Sequence, residues 1–481
     1  MYDVLIIGCG ITGAATAFEL SKYQLRVGIL EKENDVADGT TKANSAILHA
    51  GYDPSPGSLM ARLNVRGSEL ARQLCPALDV PYVPCGSLVL AFSDAERPAL
   101  EELYRRGQAN GVPGLELLTA AQARAMDHNL SGDVVSALHA PSAAICSPWE
   151  YCLALAETAV RNGADLHLET AVTGLERRED GWLVRTNRGD FTARFVVNAA
   201  GVSAAQVHDL AAPHAFDIRP SRGQYYLLDK SEGDRVSHVI FQCPNKDGKG
   251  VLVAPTVHGN LIVGPNAEDV AGDDTATTAA GLRFVRETAQ KSVPSIQFRE
   301  SIRNFAGVRA HAAGLDDFIL READGAPGFF DLAGICSPGL TAAPAIAEYA
   351  VELMAAAGLS LTKKEDFLCT RRRVRFHDLP PEEKARLVSE HPAYGRIICR
   401  CETVTEGEIL DALQSPIPPR SVDGVKRRVG AGMGRCQGGF CGPRVVEILS
   451  RELGLSPGQI VQDKAGTWLL SRETKGGEGH V

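Results

Sequence analysis

A glycine-spaced turn at the start of the chain restricts its fold more than any other feature. Tyr2-Asp-Val-Leu-Ile-Ile7 is a short apolar run, followed at once by Gly8-Cys-Gly10-Ile-Thr-Gly13. Ala14 to Leu20 then reads as a helix, and Leu25-Arg-Val-Gly-Ile-Leu30 as a second strand ending at Glu31. Strand, glycine loop, helix, strand and acid follow in the order of a dinucleotide-binding unit. Gly8 permits the tight turn, Gly10 lets a pyrophosphate reach the backbone, and Gly13 lets the helix pack closely on the strand. The helix start offers unpaired N–H groups to phosphates. Glu31, 18 residues past Gly13, is spaced to accept hydrogen bonds from a ribose.

A second signature lies near the other end. Four of the twelve cysteines form Cys399-x-Cys401 and Cys436-x4-Cys441, with 34 residues between the pairs, in glycine-rich surroundings. The other eight are scattered, mostly in apolar runs, where a free thiol behaves as a small hydrophobe. Four thiolates from two loops suit an iron–sulfur cluster or a structural zinc. A C-x-C pair is unusual for tetrahedral zinc, so the spacing favours a [2Fe–2S] cluster over zinc, and over four merely buried thiols.

At 481 residues the chain has room for two or three domains, and an apolar fraction of 44% supplies an ordinary globular core. A net charge of −9 argues against a nucleic-acid surface. The one basic run, Arg371-Arg-Arg-Val-Arg375, reads as a solvated linker face. The fingerprint begins at the first residues, leaving no room for a signal peptide, and the longest apolar stretch, Ala342 to Leu359, is broken by Glu348 and Glu352. Twelve cysteines without a leader point to a reducing compartment. The expectation is a cytoplasmic protein without a transmembrane segment, membrane-associated only through a partner subunit.

The predicted fold class is α/β. A Rossmann-like dinucleotide domain is assembled from residues 1–75, 141–214 and 310–360, with an inserted, mainly antiparallel-sheet substrate domain over 76–140 and 215–309. Phe191 to Gly201 and Gly328 to Cys336 read as strands that extend the first sheet, and Ser337-Pro-Gly-Leu-Thr opens a helix. That helix N-terminus carries partial positive charge and free N–H groups. Residues 361–389 read as a linker, 390–455 as a small helical iron–sulfur domain, and 456–481 as a tail, disordered from about Lys475.

Gly8 to Gly13, Asn44-Ser-Ala-Ile-Leu-His-Ala-Gly51, Pro220-Ser-Arg-Gly-Gln224, Gly307-Val-Arg309 and Gly334-Ile-Cys-Ser-Pro-Gly-Leu340 together resemble the FAD-dependent D-amino-acid-oxidase-like superfamily. The Asn44–Gly67 segment is most similar to L-2-hydroxyglutarate oxidases and dehydrogenases. The cysteine module resembles the bacterioferritin-associated-ferredoxin-type [2Fe–2S] domain, and its fusion behind such a flavin domain is similar to the A subunit of anaerobic glycerol-3-phosphate dehydrogenase. This resemblance implies FAD rather than NAD. It places Gly8, Gly10, Thr12, Gly13, Glu31, Ser45, Val172 and Gly201 among the cofactor contacts, Val172 at the adenine by its backbone. The turn Gly339, Leu340, Thr341 falls beside the isoalloxazine. The simplest members of the ferredoxin-like family space their second cysteine pair more tightly than Cys436-x4-Cys441, a wider spacing that suits the glycerol-phosphate branch.

The resemblance further implies hydride transfer from a small anionic substrate, a 2-hydroxy acid or glycerol 3-phosphate, to flavin N5. Arg309, in an apolar, glycine-containing setting, is the candidate clamp for the anion. Arg222 reads as support for a strand or a flavin edge. His49 is the leading candidate base, ahead of His258 and His311. Three functions compete. One is a dehydrogenase passing electrons through the cluster to a partner subunit. The others are an oxygen-using oxidase with a structural cysteine module, and a non-catalytic electron-transfer subunit. Cluster-type spacing favours the first.

Overall fold

The computed structural model describes residues 1–244 and 250–471, so the stretch from Lys475 that the sequence suggests is disordered lies outside the described residues. The chain divides into two units: Met1–Leu30 with Ala37–Arg371, and Glu31–Val36 with Arg372–Val481.

The first unit begins with a strand that is apolar on both faces, and that pattern decides its place. In Tyr2–Ile7, the side chains of Val4, Leu5 and Ile6 are wholly buried, as an interior parallel strand requires. Its parallel neighbours are Val27–Leu30 on one side and Gly189–Asn198 on the other. Asp165–His167 extends the sheet beyond the former, and Phe329–Ala333 beyond the latter. An antiparallel ribbon, Val172–Arg178 with Gly181–Thr186, continues from Gly189–Asn198. Helices Ile11–Leu20, Leu59–Ala77, Pro148–Arg161 and Gly339–Ala356 pack together through small residues. A side chain at Gly67, for example, would place its Cβ 2.1 Å from the Thr341 carbonyl.

A nine-stranded sheet forms the other layer of this unit. Its main path runs Glu268–Asp269, Ile218–Leu228, Leu261–Gly264, Leu252–Pro255, Val239–Gln242, Ser87–Ala91, Ser136–Ala140, Glu116–Thr119, with Ser301–Ala312 also paired to Ile218–Leu228. All pairings are antiparallel except Val239–Gln242 beside Ser87–Ala91. One face buries Leu88, Leu90, Ile240, Val253 and Val263 against Val285 of helix Ala279–Ser292. The fold is therefore the mixed α/β architecture expected, with the mainly antiparallel sheet inserted between pieces of the parallel one.

The second unit is small and helical. A hairpin, Ile397–Cys399 with Val404–Thr405, leads into helix Glu406–Leu413, whose start is fixed by a reciprocal cap between Thr405 and Glu408. Helices Val422–Val429 and Gly442–Leu453 follow, around Val404, Ile409, Val425, Val445 and Leu449, and helix Pro381–Glu390, nearly all of it in the stretch 361–389 that the sequence reads as a linker, precedes the hairpin. Residues past Leu455 contribute as well, for Ile460 is fully buried in this core and Val461 bridges to Ser421. The Glu31–Val36 segment supplies Asp35, which is gripped by Arg428 through two 2.8 Å contacts and by Arg427 at 3.0 Å. Burial alone raises the Asp35 pKa, but Arg428 and then Arg427 outweigh it and hold the carboxyl at about 2. Among the described residues no helix is long and apolar enough to cross a membrane.

Candidate active site and cysteine module

Parallel register sets the nucleotide end of the site. Ile7 lies beside Leu30 on one flank and Asn198 on the other. The residues that follow, Gly8, Glu31 and the Ala199–Gly201 turn, therefore leave the sheet at its carboxyl edge, where open α/β sheets bind ligands. Gly8 has φ +99°, and a Cβ there would lie 2.6 Å from the Ala199 oxygen. A Cβ on Gly13 would lie 2.0 Å from the Gly8 oxygen, so helix Ile11–Leu20 sits directly against the turn. Gly10 caps that helix without a side-chain hydrogen bond, and its first turn holds no acid, which leaves its N-terminus suited to a pyrophosphate. Thr12 is buried in this turn, and the Ile11 N–H donates to Thr41 Oγ1 at 2.9 Å. Glu31 is buried and accepts from the Glu33 N–H. Val172 opens the antiparallel ribbon, while Gly201, exposed at φ +59°, opens a short turn of 3-10 helix. A bare-backbone cradle at this strand end fits the pyrophosphate of FAD.

The candidate substrate end is made of side chains brought from distant segments. The loop Thr40–His49 is common to all of them. Thr40 Oγ1 donates to the Val308 carbonyl, and Gly307 comes so near the loop that a Cβ there would meet the Ala43 oxygen at 1.8 Å. Thus the strand carrying Arg309 runs directly past the Thr40–Ala43 part of the loop. At the far end of the loop, the His49 N–H donates to Thr341 Oγ1 at 2.8 Å, and its Nε2 lies 3.3 Å from Ser337 Oγ. Thr341 is fully buried in the first turn of Gly339–Ala356, with Gly339 buried and Leu340 half-buried beside it. His49 accordingly sits at that helix start, its ring stacked on Phe241 at 5.7 Å.

The two arginines are sharply different. Arg222 is already neutralised by Glu268 at 2.8 Å and Asp274 at 2.7 Å, a pairing that braces the strand end against the following loop. Arg309 donates to the Asn266 carbonyl at 3.0 Å, and among the described residues no carboxylate pairs with it. Tyr225, buried beside it, hydrogen-bonds with both Arg309 and Ser45; burial pushes the phenol pKa up, against the opposing pull of the arginine. The Tyr225 ring stacks on Phe305 at 4.8 Å. Sequence reasoning missed Tyr225 and Phe241. The run Gly223-Gln-Tyr-Tyr has the alternation of a strand but does not say which tyrosine faces the loop. His258 instead stacks on Trp149 with Glu150 3.7 Å away, and His311 lies on Ser301–Ala312 opposite Arg219.

In the second unit the four cysteines gather as two pairs. Cys401 Sγ and Cys436 Sγ are 3.7 Å apart, both exposed, whereas Cys399 and Cys441 are buried and hydrogen-bonded to each other. The Cys399 thiol is lowered to about 6 by Cys441 and then by the N–H groups of Gly432, Glu402 and Cys401. The N–H of Phe440, and after it the Cys401 thiol and the N–H of Gly438, lower Cys436. Such N–H groups aimed at sulfur stabilise anionic thiolates and cluster sulfides. Among the described residues no three ligating side chains converge on one point. Two thiolates at each of two places suit two bridged irons better than one tetrahedral zinc.

Comparisons with known proteins agree with this division. The profile of the family described as FAD dependent oxidoreductase matches residues 3–353, and that of the BFD-like [2Fe-2S] binding domain matches 397–451. The chain is 49% identical over 478 residues to a glycerol 3-phosphate dehydrogenase of Caloramator mitchellensis, covering 99% of each. It is 32% identical over 273 residues to the L-2-hydroxyglutarate dehydrogenase of Escherichia coli strain K12, covering 56% of this chain and 64% of that one. Among solved structures, dithionite-reduced L-alpha-glycerophosphate oxidase from Mycoplasma pneumoniae with FAD bound superposes with a TM-score of 0.73 at 33% identity, covering 78% of this chain and 99% of that one.

Proposed function

This chain belongs to the FAD dependent oxidoreductase family and carries a BFD-like [2Fe-2S] binding domain, and from that premise we propose that it is a glycerol 3-phosphate dehydrogenase delivering electrons to a partner protein. In this reading residues 1–75, 141–214 and 310–360 hold FAD, 76–140 and 215–309 cover the substrate, and 390–455 hold the cluster through Cys399, Cys401, Cys436 and Cys441. The observation that carries the substrate assignment is Arg309, a cation without a carboxylate partner among the described residues, set beside Tyr225 and the Ser45 loop. A planar guanidinium in that setting receives a phosphate or carboxylate in two parallel hydrogen bonds. The whole-length likeness to a protein named glycerol 3-phosphate dehydrogenase favours phosphate over the second carboxylate of a 2-hydroxy diacid.

When bound, FAD takes up the substrate hydrogen with two electrons and a [2Fe–2S] cluster carries electrons singly, so together they link a two-electron oxidation to a one-electron acceptor. The protein's own groups do the rest. Arg309 binds the phosphate, with Tyr225 fixing its orientation. His49, fixed through its backbone N–H by Thr341, receives the proton of the C2 hydroxyl at Nε2 as the alcohol becomes a ketone, the substrate hydroxyl taking the place of Ser337 Oγ at that nitrogen. Phe241 stacks on the imidazole and shields one face from water. The first turn of Gly339–Ala356, the turn of Gly339, Leu340 and Thr341, presents N–H groups where negative charge develops. Gly8, Gly10, Thr12, Gly13, Glu31, Ser45, Val172 and Gly201 position the cofactor. A likeness to an oxidase that stops short of the cysteine module supports reading that module as the route to a protein acceptor rather than oxygen.

Anaerobic mixing of the holoprotein with glycerol 3-phosphate, L-2-hydroxyglutarate and a simple imino acid tests the assignment through bleaching of flavin absorbance. Glycerol 3-phosphate is expected to reduce the flavin at least about a hundredfold faster than either competitor, a difference of about 2.7 kcal/mol. Faster reduction by L-2-hydroxyglutarate would transfer the assignment to the hydroxy-acid branch.

A further inference from the structure

The two cysteine pairs are not equivalent, and the difference gives the module a direction. Cys399 is 1% and Cys441 2% exposed, whereas Cys401 and Cys436 both lie at the surface. Around that open pair the chemistry is unusual for this chain. Over residues 398–404 and 433–444 there are three arginines, Arg400, Arg435 and Arg444, and one acid, the half-buried Glu402, in a protein whose net charge is −9; Arg444 also pairs with the exposed Glu447 at 3.1 Å, which leaves the excess of positive charge chiefly with the other two. Next to Cys441, Phe440 is 62% exposed, and the Arg400 guanidinium lies 4.7 Å from its ring centroid. An apolar ring that large gains nothing from water, and arginine with an exposed aromatic is the composition of interface hot spots rather than of ordinary surface. The stacking also holds Arg400 in place, which lowers the entropy lost when a partner engages it.

We propose that the rim formed by Arg400, Arg435, Arg444 and Phe440 around the Cys401–Cys436 pair is the docking face for an acidic one-electron carrier protein, and that electrons leave the module there. This rests on the relay reading above and adds to it the exit and the charge of the partner. At the exit one electron would leave the reduced cluster held by the four cysteines, oxidising it by one, and enter the acceptor, which is reduced by one; no covalent bond between the two proteins forms or breaks. The buried pair, Cys399 and Cys441, is closed off from such a partner by the module's own core. An acidic carrier is favoured over a basic one because like charges facing the three arginines would repel, and complementary charge raises the encounter rate as well as fixing the register.

The test uses the full-length, anaerobically purified protein and a fluorescently labelled bacterial flavodoxin as the acidic carrier, with binding read by anisotropy. Wild type is expected to bind at low ionic strength and to weaken as salt is added. Arg400→Glu should raise Kd about tenfold or more, and Phe440→Ala severalfold, with iron and sulfide content and the visible circular dichroism of the cluster unchanged. If Arg400→Glu loses its cluster, Phe440→Ala and Arg444→Glu carry the comparison. Absence of flavodoxin binding, binding indifferent to these substitutions in cluster-loaded protein, or tighter binding of a basic cytochrome c overturns the proposal. So does a wild-type dimer that the same substitutions dissociate, which would assign the face to a second copy. Wild type lacking iron and sulfide refutes the relay reading itself, an outcome separate from every binding result.

Discussion

The nucleotide end and the substrate end of the flavin unit are built on opposite principles. At the nucleotide end the working groups are peptide: the turn at Gly8, the uncapped helix start at Gly10 and the close packing at Gly13. Side chains there are chiefly obstacles. At the substrate end the backbone serves as a frame for side chains from separate stretches, His49, Tyr225, Phe241, Arg309 and Ser337. A backbone site fails when an atom is added, whereas a side-chain site fails when one is removed.

The largest effect predicted from this contrast is at Gly13. In Gly13→Val the new Cβ meets backbone 2.0 Å away, which no rotamer relieves, so strand and helix must separate. Little folded, flavin-bearing protein is expected. Gly10→Val is a sharper probe of the ligand itself. The nearest atom to a Cβ there is Thr41 Oγ1 at 3.3 Å, so the protein should fold with nearly unchanged thermal stability and yet lose its FAD. Visible absorbance after gel filtration, beside a thermal melt, separates the two. Full flavin retention in Gly10→Val would break the claim that bare backbone makes this end.

That same contrast explains what was readable in the sequence. The glycine spacing and Glu31 point to the proposed nucleotide end because its parts are neighbours in the chain and the motif is local. The four cysteines proposed as ligands stand out in the sequence for a similar reason, two short pairs in glycine-rich loops, although the pairing of Cys399 with Cys441 and of Cys401 with Cys436 follows only from folding the hairpin against the start of Gly442–Leu453. Arg309 and His49 were reached by resemblance. Tyr225 was not reached, because its meeting with Ser45 and Arg309 depends on the pairing of Ile218–Leu228 with Ser301–Ala312 and on the close approach at Gly307. Nor could the sequence show that Arg222 is spoken for by Glu268 and Asp274 while Arg309 is not.

At the substrate end the arginines give the next largest effect. Arg309→Lys keeps the charge and loses the fork, and kcat/KM for glycerol 3-phosphate should fall at least about tenfold, or about 1.4 kcal/mol. Arg222→Lys should instead act on stability, by roughly 1 kcal/mol, because it loosens a bidentate-type contact at the strand end with kcat/KM little changed. Steady-state kinetics and thermal melts on both variants decide it. The reverse pattern would exchange the roles of the two residues.

The smallest effect is expected at Tyr225, and it tests how finely the substrate end depends on single atoms. Burial raises the phenol pKa, so across the neutral range Tyr225 is an intact O–H lying between Ser45 and the Arg309 guanidinium. Tyr225→Phe removes one oxygen and leaves the ring stacked on Phe305, so the strand pairing and the melting temperature should be nearly unchanged. What is lost is a hydrogen bond to each neighbour, about 1 kcal/mol of orientation, read as a threefold to tenfold fall in kcat/KM. If Tyr225 acts by aiming Arg309, the loss appears mainly as a higher KM, and in an Arg309→Lys background it largely disappears because the two residues work as one unit. A fall confined to kcat would instead place the phenol at the reacting carbon. No change at all would mean that the loop backbone aims the arginine unaided, making the substrate end more like the nucleotide end.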